Sequence, residues 1–493
     1  MSKSKILVLL LIGLVLGLLA ACGGAATPET ITVVETVVVK ETVETVKEVE
    51  VEKIVTQEVE VPTGSELITL VARCRAGDVE LGRCNNLVAA AGAANAALAE
   101  AGDNRRLEVK IIQDNKDWGE YKTEFELASE AGEAPDIICS GHEHIGDWAP
   151  AGLIIPVDDV LSQHPEFEDV IDSLWNSVTF DGKRWGVPQD AEARPMFYSK
   201  LLLGQLGWSA EEIESFPERV AKGEFTWEDM LDTAAQAVEQ GVVEEGKGWW
   251  HRPVNGPDFL YYYYAAGGEI TGEGEALIFD KAAALKVYQI LEDATQKRQI
   301  LSDSLMGMEW NDWHATVSPA ENVLFAYGGT WFWPDWAKNY VADKGGEQFL
   351  FENIGFAPIP ALKAGSNKPV TLTHPLVYMV SAQSEYPDLA SLLIAKATTK
   401  ELNTSYAIES GHLGILKSQA GYAPYTSAEY LSQVLPLLEY ATFLPNSPHW
   451  SQWSEAYFLG IQSVEAGDLT AEEAVDVVVD QLQNELGENV VIQ

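Results

Sequence analysis

The chain has 493 residues, more than a single hydrophobic core organises, so two or more domains are expected. Its 75 acidic residues against 32 basic ones leave a net charge of −43, which repels a phosphate backbone and excludes nucleic acid as a natural partner. With 46% apolar and 22% charged residues the composition is ordinary for a globular protein, and the acid excess reads as surface solubility, halophilic adaptation being the alternative.

The front end carries an address. Lys3 and Lys5 precede an unbroken apolar run from Ile6 to Ala21, and small residues follow. A basic start, an apolar middle and a small-residue exit describe a secretory signal. The run is shorter than the roughly 18–20 residues a membrane-spanning helix needs, although an uncleaved signal anchor is the alternative. Leu19-Ala20-Ala21-Cys22 resembles a bacterial lipobox, which implies cleavage before Cys22 and a lipid on its sulfur. Residues 1–21 are therefore expected to be a lipoprotein signal peptide, and the folded part to work outside the cytoplasm, tethered to a membrane.

Residues 22–65 are expected to be a lipid-anchored low-complexity stalk. Ile31 to Pro62 consists almost entirely of Val, Thr, Glu and Lys, with no aromatic residue, so it supplies little core. A β-rich or coiled oligomerisation stalk is the alternative.

The globular part begins near Glu66. Leu67–Ala72, Leu107–Ile112 and Asp136–Cys139 read as strands, and about Asn86–Ala101 and Tyr121–Ala131 read as helices between them. Strands alternating with helices predict a parallel, doubly wound α/β sheet. Ligands sit at the carboxyl ends of such strands, here Cys74-Arg75, Asp114-Asn115 and the turn Ser140 to His144. Beyond residue 200 the chain reads as mostly helical, with Thr226 and Thr470 capping two helices. A Tyr261–Tyr264 run and Gly328-Gly329 before Trp331 stand out there. Setting Cys22 aside leaves three cysteines and one intramolecular disulfide at most. Cys74–Cys84 is the pair expected, across a short loop, with Cys74–Cys139 the alternative.

Four stretches, in order, resemble bacterial extracellular solute-binding proteins of the maltose-binding type, which feed ABC importers. They are APDIICSGHEHIGDWAPAGLIIPVDD, GKRWGVPQDAEARPMFYSKLLL, NVLFAYGGTWFWPDW and NIGFAPIPALKAGSNKPVTLTHPLVYMVSA. The resemblance covers the chain from about Glu66 to the C-terminus. It implies a two-lobe periplasmic-binding-protein fold of type II, with a ligand cleft between lobes joined by hinge strands. The first α/β lobe would be 66–188 with 369–416, and the second 191–368 with 417–493.

The resemblance also implies site residues. Trp331 matches the sugar-stacking tryptophan, whose face suits the apolar C–H face of a pyranose, and the two glycines before it would let backbone approach a ligand. Glu143 matches an acid on the turn after the third strand, and a carboxylate accepts two hydroxyl hydrogen bonds. Glu192 matches a hinge acid, and Asp190 and Arg194 alternate with it on one side of an extended segment. His142, Trp148, Tyr262, Trp453 and His374 complete the expected ligand-binding set, with Tyr264, Trp249, Trp450 and His412 weaker candidates. Ser140 and His144 stand where the family's disaccharide binders carry an aromatic residue and an arginine. The His142-Glu143-His144 run suggests a metal, but neighbours on a tight turn do not readily converge, so no metal and no cofactor are expected. The expected function is capture of a carbohydrate for an ABC permease, without catalysis. A secreted glycoside hydrolase, with paired acids and tryptophans, or a receptor for another solute such as a polyamine are the alternatives.

Overall fold

A computed structural model describes residues 29–30, 53–56, 60–61, 64–271, 276–362 and 370–493. The signal sequence, Cys22 and most of the stalk lie outside the described residues. Among those described, no helix is long and apolar enough to cross a membrane.

A six-stranded sheet organises the first lobe. Its order is Lys53–Thr56, Arg105–Asp114, Glu66–Arg75, Ile137–Gly141, Leu376–Val380 and Val187–Pro188. Alternation builds these strands: Leu107, Val109, Ile111 and Gln113 are buried, while the residues between them are only partly covered. All five residues of Ile137–Gly141 are buried, as in a strand covered on both faces. The three central strands are parallel, with the helices Gly82–Glu100 and Trp118–Ala131 as crossovers. The expectation of a parallel sheet holds only there. Leu376–Val380 runs antiparallel to its neighbours, because that segment returns from the other lobe.

The stalk reading needs a correction at its end. Lys53–Thr56 pairs antiparallel with Arg105–Asp114 and forms the sheet edge, so those four residues belong to the folded unit. Pairing satisfies backbone groups that an exposed edge would otherwise present.

The second lobe is built around Met196–Ser199, antiparallel to both Phe325–Tyr327 and Ile354–Ala357, with Trp249–Trp250 on the outside. Helices dominate it. Thr226 and Thr470 each cap their helix in a reciprocal box with Asp229 and Glu473. The tyrosine run lies in the helix Phe259–Ala265. The chain passes between the two sheets after Pro188, before Leu376 and near Asn446. At the last crossing Gly146 is essential, because a Cβ there would meet the backbone of Asn446 and Ser447. The disulfide Cys74–Cys84 is formed, with Cα atoms 5.9 Å apart, and Cys139 is free and buried.

Candidate functional site

A cleft of about 1110 Å³ opens between the two sheets. All three expected strand ends reach it, through Arg75, Asn115 and Glu143. The loop 75–83 adds Asp78 and Glu80, and the disulfide closes that loop at its base. The opposite wall carries Arg252, Asp258, Trp310, Trp331 and Trp450.

Of the expected binding residues, Trp331 and Glu143 line the cleft. The glycines before Trp331 act differently from the expectation. Its ring folds back over Gly329, where any Cβ would collide with it, so the glycine makes room for the tryptophan and not for a ligand. Trp331 is held by a guanidinium and an imidazole. Arg194 lies 4.9 Å from the ring centre, and the His412 ring is stacked at 5.5 Å and 13° from parallel.

Asp190, Glu192 and Arg194 form neither the cleft surface nor a surface ion pair. All three are buried behind Trp331. Arg194 pairs with Glu192 at 2.7 Å and with Asp258. His412 lies 3.5 Å from Glu192 and 3.9 Å from both Asp190 and Glu80. Arg83 bridges Glu80 at 3.0 Å and Asp190 at 3.7 Å, and Tyr406 donates to Asp190 at 3.0 Å. Acids and bases thus alternate from Glu80 to Asp258 and join the two walls from behind. Burial pushes the Glu192 carboxyl up, but Arg194 and His412 outweigh it and hold it at about 2. Burial likewise opposes ionisation of Glu80, and Arg83 with His412 brings it to about 2. Asp190 moves the other way, raised chiefly by burial. His412 is raised: burial disfavours its charge, and the surrounding carboxylates more than compensate.

Glu143 and His144, which line the cleft, belong to a second cluster that reaches behind its surface. His374 Nε2 lies 2.6 Å from Glu143 Oε2, and His144 Nε2 lies 3.7 Å from Glu143 Oε1. His142 is fully buried, its ring centre 5.4 Å from that of His374. Three imidazoles therefore surround one carboxylate. The objection that neighbours on a turn do not converge holds for His144, whose Nδ1 is taken by Ser140 Oγ at 2.8 Å. It misses His374, which arrives from the return segment. One ligating atom each from His142, Glu143 and His374 lie within 4.8 Å of one another. Burial lowers His142 to about 4, so it is neutral at physiological pH. His374 is raised, burial being outweighed by Glu143.

Three expected binding aromatics are core residues instead. Trp148 is buried under His144, donates to Glu126 at 3.0 Å and packs on Phe125. Tyr262 packs edge-on against Trp227 and Trp249. Trp453 donates to the Ile278 carbonyl at 3.0 Å and touches Tyr263 and Phe279. Each fills a space between helices that only a large ring closes. Trp450, a weaker candidate, does reach the cleft. Sequence reasoning missed Glu80, Arg83, Asp258, Arg252, Trp118 and Trp310. The Glu80–Arg83 spacing at a helix start was a signal available for the first pair; Asp258 and Trp310 lie outside every recognisable motif.

A two-lobed α/β fold with an aromatic and acidic cleft between its lobes is the architecture of a solute-binding protein. The chain belongs to the family of bacterial extracellular solute-binding proteins, whose sequence profile matches residues 90–404. Among characterised relatives, the arabinooligosaccharide-binding protein of Halalkalibacterium halodurans is 21% identical over 300 residues, covering 59% of this chain and 61% of its own. Among solved structures, the GacH receptor of Streptomyces glaucescens, known unliganded and with acarbose, is 20% identical with a TM-score of 0.65, covering 85% of this chain and 98% of its own. The maltose-bound MalE3 of T. maritima is 16% identical with a TM-score of 0.66, over 85% and 99%. At these identities the structural likeness establishes the fold.

Proposed function

We propose that this receptor captures a carbohydrate in its interlobe cleft and delivers it to an ABC-type permease, without chemical turnover. The observation that carries the reading is the cleft lining, where Trp331, Trp118, Trp310 and Trp450 alternate with Glu143, Asp78, Glu80 and Arg252. Aromatic faces match the C–H faces of sugar rings, and planar acids and guanidinium groups match their hydroxyl rims. The named ligands of relatives, arabinooligosaccharide, acarbose and maltose, support the same class. The division read from the sequence, 66–188 with 369–416 and 191–368 with 417–493, is kept as a proposal for the two main sheets, whose strands at 66–75, 105–114, 137–141, 187–188 and 376–380 and at 196–199, 249–250, 325–327 and 354–357 fall on its two sides. Lobe closure about the crossings would favour the liganded state. The lipobox at Cys22 supports anchoring of the receptor to the membrane beside its permease.

A thermal-shift panel of mono- and oligosaccharides tests the proposal. A ligand that binds only the folded state raises the melting temperature with concentration. A sugar that does so and is recovered unchanged fits the receptor. A sugar that is cleaved, with cleavage lost in a single carboxylate variant, replaces it with a hydrolase.

A further inference from the structure

The cluster around Glu143 has more ligating capacity than hydroxyl binding uses. Asn446 explains how. Its Nδ2 donates to the carbonyls of Ser177 at 2.7 Å and Thr179 at 3.3 Å, which turns its Oδ1 toward His142. That oxygen only accepts, so His142 Nδ1 must carry the proton and donate to it, at 3.1 Å. His142 Nε2 is left with a bare lone pair. It is buried and has no hydrogen-bond partner. A buried, unpartnered acceptor is costly, and native folds leave few of them unexplained.

We infer that this cluster binds one divalent transition-metal ion through His142 Nε2, a Glu143 carboxylate oxygen and His374 Nε2, with its open side toward the cleft. Ligand atoms about a tetrahedral zinc ion stand ~3.4 Å apart, given metal–ligand distances of about 2.0–2.2 Å. His374 Nε2 and Glu143 Oε2 stand 2.6 Å apart, and one ligating atom each from His142, Glu143 and His374 lie within 4.8 Å of one another, so side-chain shifts of about 1 Å reach that value. The ion displaces the proton between His374 and Glu143 to solvent, and a small rotation of the carboxylate widens that edge. Asn446 then serves His142 as the outer partner that metal-bound imidazoles usually have. Two imidazoles and one carboxylate suit zinc, cobalt or nickel better than calcium or magnesium. Glu192 lies near enough to favour the cation and Arg194 to oppose it, while His144 faces the free oxygen of Glu143. Of the three, Glu143 lines the cleft and keeps 17% of its side chain exposed, so the ion's open position is placed on the Glu143 side. Three protein ligands and one open position are the arrangement of zinc sites that engage a bound molecule.

The test is calorimetric titration of zinc chloride into the tag-free full chain, with His142→Gln, His374→Gln and, as a remote control, His164→Gln. One zinc per chain is expected, with affinity weaker in the first two variants by more than the ~10–100-fold that losing an outer partner of a ligand costs, and unchanged in the control. Cobalt(II) added to the native chain should give the visible absorption of a low-coordinate site, a readout that does not depend on how the variants fold. Absence of stoichiometric zinc binding, or equal affinity in His142→Gln or His374→Gln, overturns the inference. Sugar binding measured beside it in excess chelator reports separately on the receptor reading, so either can fail alone.

Discussion

The guanidinium of Arg194 lies 4.9 Å from the centre of the Trp331 ring. Arg194 stands in the segment that leaves the first lobe, and Trp331 stands on the cleft wall of the second. Two acids, Glu192 and Asp258, fix the guanidinium, so the cleft tryptophan rests on a charge network rooted at a lobe crossing. The ring and the crossing thus share one contact network.

Removing Arg194 should therefore act twice. Arg194→Ala leaves Glu192 and Asp258 buried without their cation, and breaking one partner of a buried pair costs about 3–5 kcal/mol. Urea denaturation should show the loss directly. Arg194→Lys restores the charge without the planar fork and should recover only part of the stability. A native-like urea midpoint in Arg194→Ala would show that the network is not structural.

Acid should weaken the fold through Glu80 and Glu192. Each carboxyl is held at about 2, below its ordinary 4.5. A depressed pKa adds stability above the unfolded value, and that stability is lost as pH falls from about 4.5 toward 2. For Glu80 alone this is roughly 3 kcal/mol. Asp190, raised by burial, works in the opposite direction and offsets part of it. Urea midpoints measured from pH 6 to pH 3 should fall, and Glu80→Gln should flatten the slope. An unchanged slope in that variant would contradict the pairing with Arg83.

The disulfide should hold the first wall of the cleft. Closing a loop of 10 residues restricts the unfolded chain by about 3 kcal/mol on the loop-entropy account. Cys74→Ala with Cys84→Ala should lower the melting temperature and loosen the loop carrying Asp78 and Glu80. Hydrogen exchange at residues 75–83 should rise in the double variant; equal protection would assign the order of that loop to Glu80 and Arg83 alone.

How far the residues announce this structure depends on the range of the interactions involved. The strand at Arg105 is legible because alternation is local, those at Glu66 and Ile137 because short apolar runs are, and the Thr226 and Thr470 caps because a cap is decided within four residues. Lys53–Thr56 looked like stalk because its edge pairing depends on a strand some fifty residues away. Trp331 and Glu143 were found through the resemblance of their motifs. Tyr262 and Trp453 were misread because an aromatic residue that fills a core and one that lines a cleft have the same local signature. His142 and His374 are separated by more than two hundred residues, and their approach depends on the direction of the return strand. The charge relay from Glu80 to Asp258 joins four segments, 80–83, 190–194, 258 and 406–412, and no local pattern predicts it.

Calorimetric titration of the sugar that the thermal-shift panel selects, into native protein and Trp331→Ala, tests the central claim most directly. The account predicts one site per chain and a Kd weakened by about 1–3 kcal/mol in the variant, a factor of roughly 5 to 150. The variant should melt as a folded protein, since the ring lies at the cleft and not in the core. Unchanged affinity in Trp331→Ala would contradict the account and place the ligand elsewhere.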